Sequence, residues 1–236
     1  MKRLVKDEQF VTVDGERCYV NKIDDTTFLN LSDFSIRNLK KVVGLERLSG
    51  ISPLRLDLSF NELIDTGGLE RLYHLNLDLL FLSDNKIVEI KGLEKLTKLE
   101  YLYLNRNKIT EIKGLEKLTT LRYLDLSYNQ INEIKGLENL ERLGSLDLQE
   151  NQIKEITGLE NLHKLVSLEL NCNQISEIKG LENLNELFHV SFAYNSIPPE
   201  ILQQCIREKD AYSPADNHYP VNAQKCVNYC RNKIKI

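Results

Sequence analysis

Catalysis needs a nucleophile, an acid–base group or a set of metal ligands, and cysteine and histidine are where such groups would show. The chain has five cysteines (Cys18, Cys172, Cys205, Cys226, Cys230) and four histidines (His74, His163, His189, His218). An odd, scattered cysteine set is not a disulfide framework. Cys226 and Cys230 are spaced for one face of a helix. With no second pair and no histidine cluster nearby they read as small buried apolar residues, not zinc ligands. Cys172 and His189 could act as nucleophile and base of a minor thiol hydrolase, but they fall in different columns of the pattern described below and no oxyanion donor can be named for them. The chain contains no Gly-x-Gly-x-x-Gly, no phosphate loop and no zinc spacing. Asn30-Leu31-Ser32 fits a glycosylation acceptor only formally, because no secretory signal accompanies it. The expectation is no enzyme, no catalytic residue, no metal and no cofactor.

The totals narrow the partner class. A net charge of -4 argues against a nucleic-acid binder, which needs a basic face for phosphates. Apolar content of 42% is that of an ordinary soluble chain. No run approaches the roughly 18 apolar residues of a membrane helix. Lys6, Asp7, Glu8 and Gln9 interrupt the start, so no signal peptide is read there. These features predict a cytoplasmic, membrane-free and monomeric protein.

What positions the surface residues is a repeat. Residues 92–113 read GLEKLTKLEYLYLNRNKITEIK, residues 114–135 read GLEKLTTLRYLDLSYNQINEIK, and the next copy reads GLENLERLGSLDLQENQIKEIT. Self-similarity at this period marks a solenoid, in which each unit buries its apolar residues only against its neighbours. Landmark glycines stand at Gly44, Gly68 and Gly92 (24 apart), then at Gly114, Gly136, Gly158 and Gly180 (22 apart). The two extra residues of the early units are expected between the glycine and the strand, around Gly50 to Pro53 and Tyr73 to Leu77, without disturbing strand register. Within a unit, Leu102 and Leu104 alternate with Tyr101 and Tyr103, the pattern of a strand with one buried face. Leu99, Ile109, Ile112, Leu115 and Leu118 complete the interior. One asparagine per unit closes the strand: Asn61, Asn85, Asn107, Asn129, Asn151, Asn173 and Asn195. An amide in every turn predicts a ladder of bonds to backbone groups the turn leaves unpaired. The Gly-Leu-Glu-x-Leu segment predicts one turn of helix on the outer side.

The ends differ. Residues 1–27 are not repeat; Asp14-Gly15 between short apolar runs predicts a hairpin capping the first unit. In that first unit Asn30 to Phe34 is the expected strand, with Arg37 at the asparagine position. Residues 28–197 are the repeats, about seven to eight units. Residues 198–236 are an expected helical cap: Pro198-Pro199 opens a helix burying Ile201, Leu202, Cys205 and Ile206. Asp210 to Pro220 reads as loop. Val221 to Asn232 reads as a second helix with Val221, Cys226, Val227 and Cys230 inward.

Outward strand positions are free of packing constraints and should carry function. One column holds Arg55, Leu79, Tyr101, Tyr123, Ser145, Ser167 and His189. The next holds Asp57, Phe81, Tyr103, Asp125, Asp147, Glu169 and Ser191. At the strand exit stand Phe60, Asp84, Arg106, Tyr128, Glu150, Cys172 and Tyr194. The expected partner-binding set is Phe60, Leu79, Phe81, Tyr101, Tyr103, Arg106, Tyr123, Asp125, Tyr128, Asp147, Glu150 and Glu169. It combines an aromatic patch with an acidic ridge whose like charges serve no purpose in the fold and so await a cationic partner. The convex charges of the EIKGLE phrase read as a solvated surface without function.

The unit Leu-x-x-Leu-x-x-Leu-x-Leu-x-x-Asn-x-Ile-x-x-Ile-x-Gly-Leu-Glu resembles the leucine-rich repeat family. Its NQIxEIKGLENL phrase is similar to the intracellular subclass typified by the regulatory subunit of type 1 protein phosphatase. The resemblance implies an α/β solenoid: a right-handed curved superhelix with a concave parallel β-sheet and short helical turns on the convex side. It also implies partners bound on the concave sheet through acidic and aromatic columns. The reading is a non-enzymatic protein-binding module whose partner presents a basic or amphipathic face. Regulation of a phosphatase or small GTPase is the sharper version, and a structural scaffold without a specific partner is the blander one.

Overall fold

The computed structural model of the chain describes residues 9–23, 26–49, 51, 53–205 and 222–234. A hairpin opens it. Strands β1 (Phe10–Val13) and β2 (Glu16–Ile23) pair antiparallel around Asp14 and Gly15, both at positive φ. That left-handed pair of turn residues matches the twist of the strands it joins. Strand β3 (Thr26–Asn30) pairs antiparallel with β2 on one side and parallel with β5 (Leu54–Asp57) on the other. A short strand, β4 (Val42–Val43), folds back onto β1. From β5 the sheet runs in parallel through β6 (Leu77–Phe81), β7 (Tyr101–Tyr103), β8 (Tyr123–Asp125), β9 (Ser145–Asp147), β10 (Ser167–Glu169) and β11 (His189–Ser191), in chain order and without crossovers. This is a parallel-sheet solenoid.

The interior is a single apolar column. Leu99, Leu102, Leu104, Ile109, Leu115 and Leu118 are fully buried, and their equivalents repeat this through the stack. Each asparagine binds its unit to the one before. Asn129 Oδ1 accepts from Ile109 N–H at 2.9 Å, and its Nδ2 donates to the carbonyls of Leu104 and Leu126, both at 3.0 Å, and of Ser127 at 3.1 Å. Asn107 and Asn151 do the same one unit earlier and later. The expected ladder is present, and it satisfies backbone groups that would otherwise be buried unpaired.

The landmark glycine is required by geometry. Gly136 has φ +83, and a Cβ there would stand 2.2 Å from the Ile112 carbonyl oxygen of the preceding unit. The glutamate two residues on is also structural: Glu138 accepts the Gly136 N–H at 3.0 Å, as Glu116 does for Gly114 and Glu160 for Gly158. That part of the convex phrase therefore has a task in the fold. Lysines beside it form exposed pairs such as Lys179–Glu155 at 3.1 Å, each worth little.

Four expectations need correction. The first unit's strand is Thr26–Asn30, not Asn30 to Phe34, because pairing with β2 draws it toward the hairpin; Leu29 aligns with Leu56. Phe34, not Arg37, therefore takes the asparagine position, and Asn61 Oδ1 receives the N–H groups of Phe34 and Ile36. The early insertions do disturb register: Leu54 pairs with Leu77 but Arg55 with Leu79, leaving Asp78 as an extra residue in β6. Of the Gly-Leu-Glu-x-Leu segments, all within the described residues, only those at Leu45–Leu48 and Leu69–Leu72 form a helical turn, both 3₁₀ and both in 24-residue units. Later units cross the same arc in successive turns, Leu96 N–H to Leu93 and Leu99 N–H to Leu96, because two fewer residues span it.

After β11 the chain enters α1 (Pro199–Gln203), with Leu202 and Cys205 buried. Helix α2 (Ala223–Ile234) buries Ala223, Cys226, Val227 and Cys230. It is tied to the last unit by Gln224 Nε2 to the Leu187 carbonyl at 2.7 Å and by Arg231 Nε to the Glu182 carbonyl at 2.9 Å. Ile206, Val221 and the loop expected at Asp210 to Pro220 lie outside the described residues.

Candidate functional site

Strand register places the expected residues in rows. Leu79, Tyr101 and Tyr123 align across β6, β7 and β8, as do Phe81, Tyr103 and Asp125, with Asp147 and then Glu169 following on β9 and β10. The Phe81 and Tyr103 rings stack at 4.7 Å with an interplanar angle of 28°, and Tyr103 meets Tyr123 diagonally at 4.9 Å. All three rings are half-buried, with Tyr103 between the other two. Burial raises the phenol pKa of Tyr103, with the Asp125 charge adding. Burial and then the charge of Asp125 push Tyr123 up to about 12. Both rings therefore present neutral hydroxyls.

The acids do more for the fold than the sequence suggested. Asp57, Asp125 and Asp147 each accept, through Oδ1, the backbone N–H two residues on, from Ser59 at 2.8 Å, Ser127 at 3.0 Å and Gln149 at 3.0 Å. Where the chain leaves the strand, the aspartate closes the turn. The claim that the fold gains nothing from this row is thus corrected. Asp125 is buried and also accepts from Ser127 Oγ at 2.6 Å. Glu169 is shared between His189 Nε2 at 2.7 Å and Ser191 Oγ. Asp147, like Asp57 and Glu169, is part-buried. Burial pushes it up to about 6, the Gln149 N–H opposes this, and the charges of Asp125 and Glu169 raise it further.

The exit residues form a separate rim. Phe60, Arg106, Tyr128 and Glu150 are exposed, and all have φ between +53 and +56. A side chain in this left-handed region costs about 1–2 kcal/mol. The turn imposes that conformation in every unit, so each exit side chain leaves the sheet in the same direction. The Arg106 guanidinium lies over the Tyr128 ring at 4.4 Å. Phe60 stands apart from that pair, with Asp84 between.

Cys172 and His189 do not form a nucleophile–base pair. Burial, together with a hydrogen bond to Glu150, pushes the Cys172 thiol up to about 11, and the His189 ring is engaged by Glu169. The sequence reading also passed over Val166 and Phe188, adjacent at the strand entrance and 43% and 75% exposed. Their signal was available: they occupy the position that holds Glu100, Arg122 and Gly144 in earlier units.

The model for leucine-rich repeats in two copies matches residues 75–117, 119–161 and 142–186, and a second leucine-rich repeat model matches residues 53–72. The chain belongs to the leucine-rich repeat family. Among solved structures this leucine-rich repeat protein is similar to an internalin (inlF) from Listeria monocytogenes str. 4b F2365. The two are 28% identical over 70% of this chain and 47% of that one, with a TM-score of 0.59. It is also similar to internalin C2 (inlC2) of the same organism, at 29% identity over 66% of this chain and 87% of that one, with a TM-score of 0.43. The chain spans about half the length of the first of these, 47%. No curated protein matches it. Leucine-rich repeat proteins are typically protein-interaction modules, and no helix among the described residues is long and apolar enough to cross a membrane.

Proposed function

We propose that the outward sheet face is a docking surface for a protein partner with a basic or amphipathic segment. The observation that supports this reading is the ring stack Phe81–Tyr103–Tyr123, half-buried on the outward sheet face and running directly into Asp125, Asp147 and Glu169. No packing requirement of the solenoid asks for aromatic residues there, since the column of Phe81 and Tyr103 holds Asp57 and Ser191 elsewhere and that of Tyr123 holds Arg55 and Ser145. Rigid aromatic area supplies affinity, and the neighbouring acids supply steering and orientation. In this reading the protein is cytosolic and monomeric, the hairpin β1–β2 shields the first unit, and α1 with α2 shields the last.

The repeat length and the NQIxEIKGLENL phrase favour the phosphatase-regulator subclass as the source of the partner, so a type 1 phosphatase catalytic subunit is the first protein to test. Tyr103→Ala and Tyr123→Ala should each weaken binding by about 1–3 kcal/mol, roughly 5- to 150-fold, with urea midpoints little changed. Binding should also weaken as salt rises. Full affinity in both variants would remove the face from consideration. Affinity that is lost for a different protein pulled from lysate, but absent for the phosphatase, would retain the face and discard the subclass.

A further inference from the structure

The C-terminal cap holds three thiols that no feature of the binding face uses. Cys205 follows α1, and its carbonyl accepts the Asn222 N–H at 2.7 Å; the Asn222 carbonyl in turn accepts the Cys226 N–H at 3.1 Å. Cys226 therefore stands one helical turn beyond the residue fastened to Cys205. Both side chains are fully buried, and the two thiols are hydrogen-bonded to each other. Cys230, a turn further along α2, points its thiol instead at the Ile178 carbonyl, 3.6 Å away. All are free thiols, and no group of three or more His, Cys, Asp or Glu among the described residues is arranged to hold a metal. The surrounding cluster includes Leu202, Ala223 and Val227. An apolar residue would fill the same space, so filling alone does not explain two facing thiols on separate elements.

We propose that Cys205 and Cys226 are a disulfide-forming pair, oxidised by a small-molecule disulfide. The Cys205 thiolate attacks one sulfur of the oxidant, forming a mixed disulfide and releasing one small thiol. The Cys226 thiol gives up its proton and attacks the Cys205 sulfur, which forms the Cys205–Cys226 bond and releases the second small thiol. Two protein thiols lose two electrons and two protons, and the oxidant becomes two thiols. The hydrogen bond with Cys226 holds the Cys205 thiol below the ordinary cysteine value, with burial opposing and Lys225 adding to it, while the same bond pushes Cys226 up. The roles of the two sulfurs can be exchanged without changing the product, because either thiol can make the first attack once the cap opens. Burial makes the reaction depend on opening of the cap, so in a reducing compartment the pair stays dithiol until oxidant accumulates.

The consequence lies at the end of the stack. In a repeat array the terminal unit is held from one side only, and its cap limits fraying. A covalent link from the residue just past α1 to α2 steadies the cap that Gln224 and Arg231 fasten to the last unit. It thereby steadies β11, whose His189 and Ser191 hold Glu169.

The full chain is incubated with oxidised glutathione, folded, and analysed by intact mass and peptide mapping. The expected product is lighter by two hydrogens, carries one linked peptide joining Cys205 to Cys226, and melts about 5 °C higher. Dithiothreitol reverses the change. Amide exchange at α2 and β11 slows in the linked form. Cys230→Ser should keep the link and Cys205→Ser should abolish it. A link from Cys226 to Cys230, a glutathione adduct that persists on Cys205 or Cys226, loss of the link in Cys230→Ser, or no link although iodoacetamide reaches both thiols at the same temperature would each overturn the proposal.

Discussion

The asparagine ladder makes a prediction that isolated side chains would not. Asn129→Ala removes four hydrogen bonds, but three of the backbone groups involved keep another partner. The Leu104 carbonyl retains Asn107 Nδ2 at 2.9 Å, the Leu126 carbonyl retains Asn151 Nδ2 at 3.0 Å, and the Ser127 carbonyl retains the Arg106 N–H at 3.0 Å. Only the Ile109 N–H is left without its partner. The expected cost is that of one buried orphan donor, about 1–3 kcal/mol. Asn107→Ala is equivalent and orphans the Ile87 N–H. The double variant differs, because Asn107 and Asn129 are the two donors to Leu104, whose carbonyl now loses both. It should cost about 1 kcal/mol more than the sum of the singles. Asn107 and Asn173 share no acceptor, so that pair should add to within about 0.5 kcal/mol. Asn129→Asp keeps the acceptor for Ile109 but turns lone pairs and charge toward three carbonyls, and should be worse than alanine at neutral pH. Urea unfolding followed by far-UV circular dichroism, with unchanged m-values, reads all of these. Equal additivity in the neighbouring and distant pairs would refute the shared-acceptor argument.

Three further outcomes follow. Asp147 has a folded pKa of about 6, above the usual carboxylate value, so the folded chain holds this proton more tightly than the unfolded one. Stability from this group is therefore full at pH below the unfolded value and is lost as pH rises through about 6. Asp147→Asn should remove that decline, about 1 kcal/mol after allowance for solvent screening, and parallel urea midpoints for both proteins from pH 4 to 8 would contradict it. The same titration should make a basic partner bind more tightly at pH 7 than at pH 5, measurable by calorimetry. Gly136→Ala should lower stability by more than about 2 kcal/mol, because the added carbon overlaps the Ile112 oxygen at φ +83. Gly15→Ala, at φ +90 with open space around it, should cost only the conformational part, about 1 kcal/mol. Equal melting shifts for the two would show that the overlap relaxes without cost.

Most of the architecture was legible because a repeated residue declares its task repeatedly. Seven asparagines in step could only mean a recurrent backbone need, and the leucines marked one buried face per strand. What escaped the sequence is whatever happens once. Phe34 takes the asparagine position because β2 fixes the register of β3, a pairing outside the repeat. The bulge at Asp78 arises between two 24-residue units, and length alone does not say which residue is extruded. On the face, the ring stack was visible as a column of aromatics. The turn-closing role of Asp125 and Asp147 was not, because an outward aspartate looks the same whether it awaits a partner or its own backbone.

Each asparagine reaches one unit back by the same set of bonds, and nothing in those bonds identifies where along the array it stands. Excising a whole period, for example 126–147, would rejoin Leu104 to Asn151 through the hydrogen bonds that now join it to Asn129. The rod could thus be shortened or extended in steps of one strand spacing, about 4.8 Å, sliding the stacked rings along the acidic row by that increment while every joint stays chemically unchanged. Recognition by such a surface is adjustable by ruler as well as by side chain.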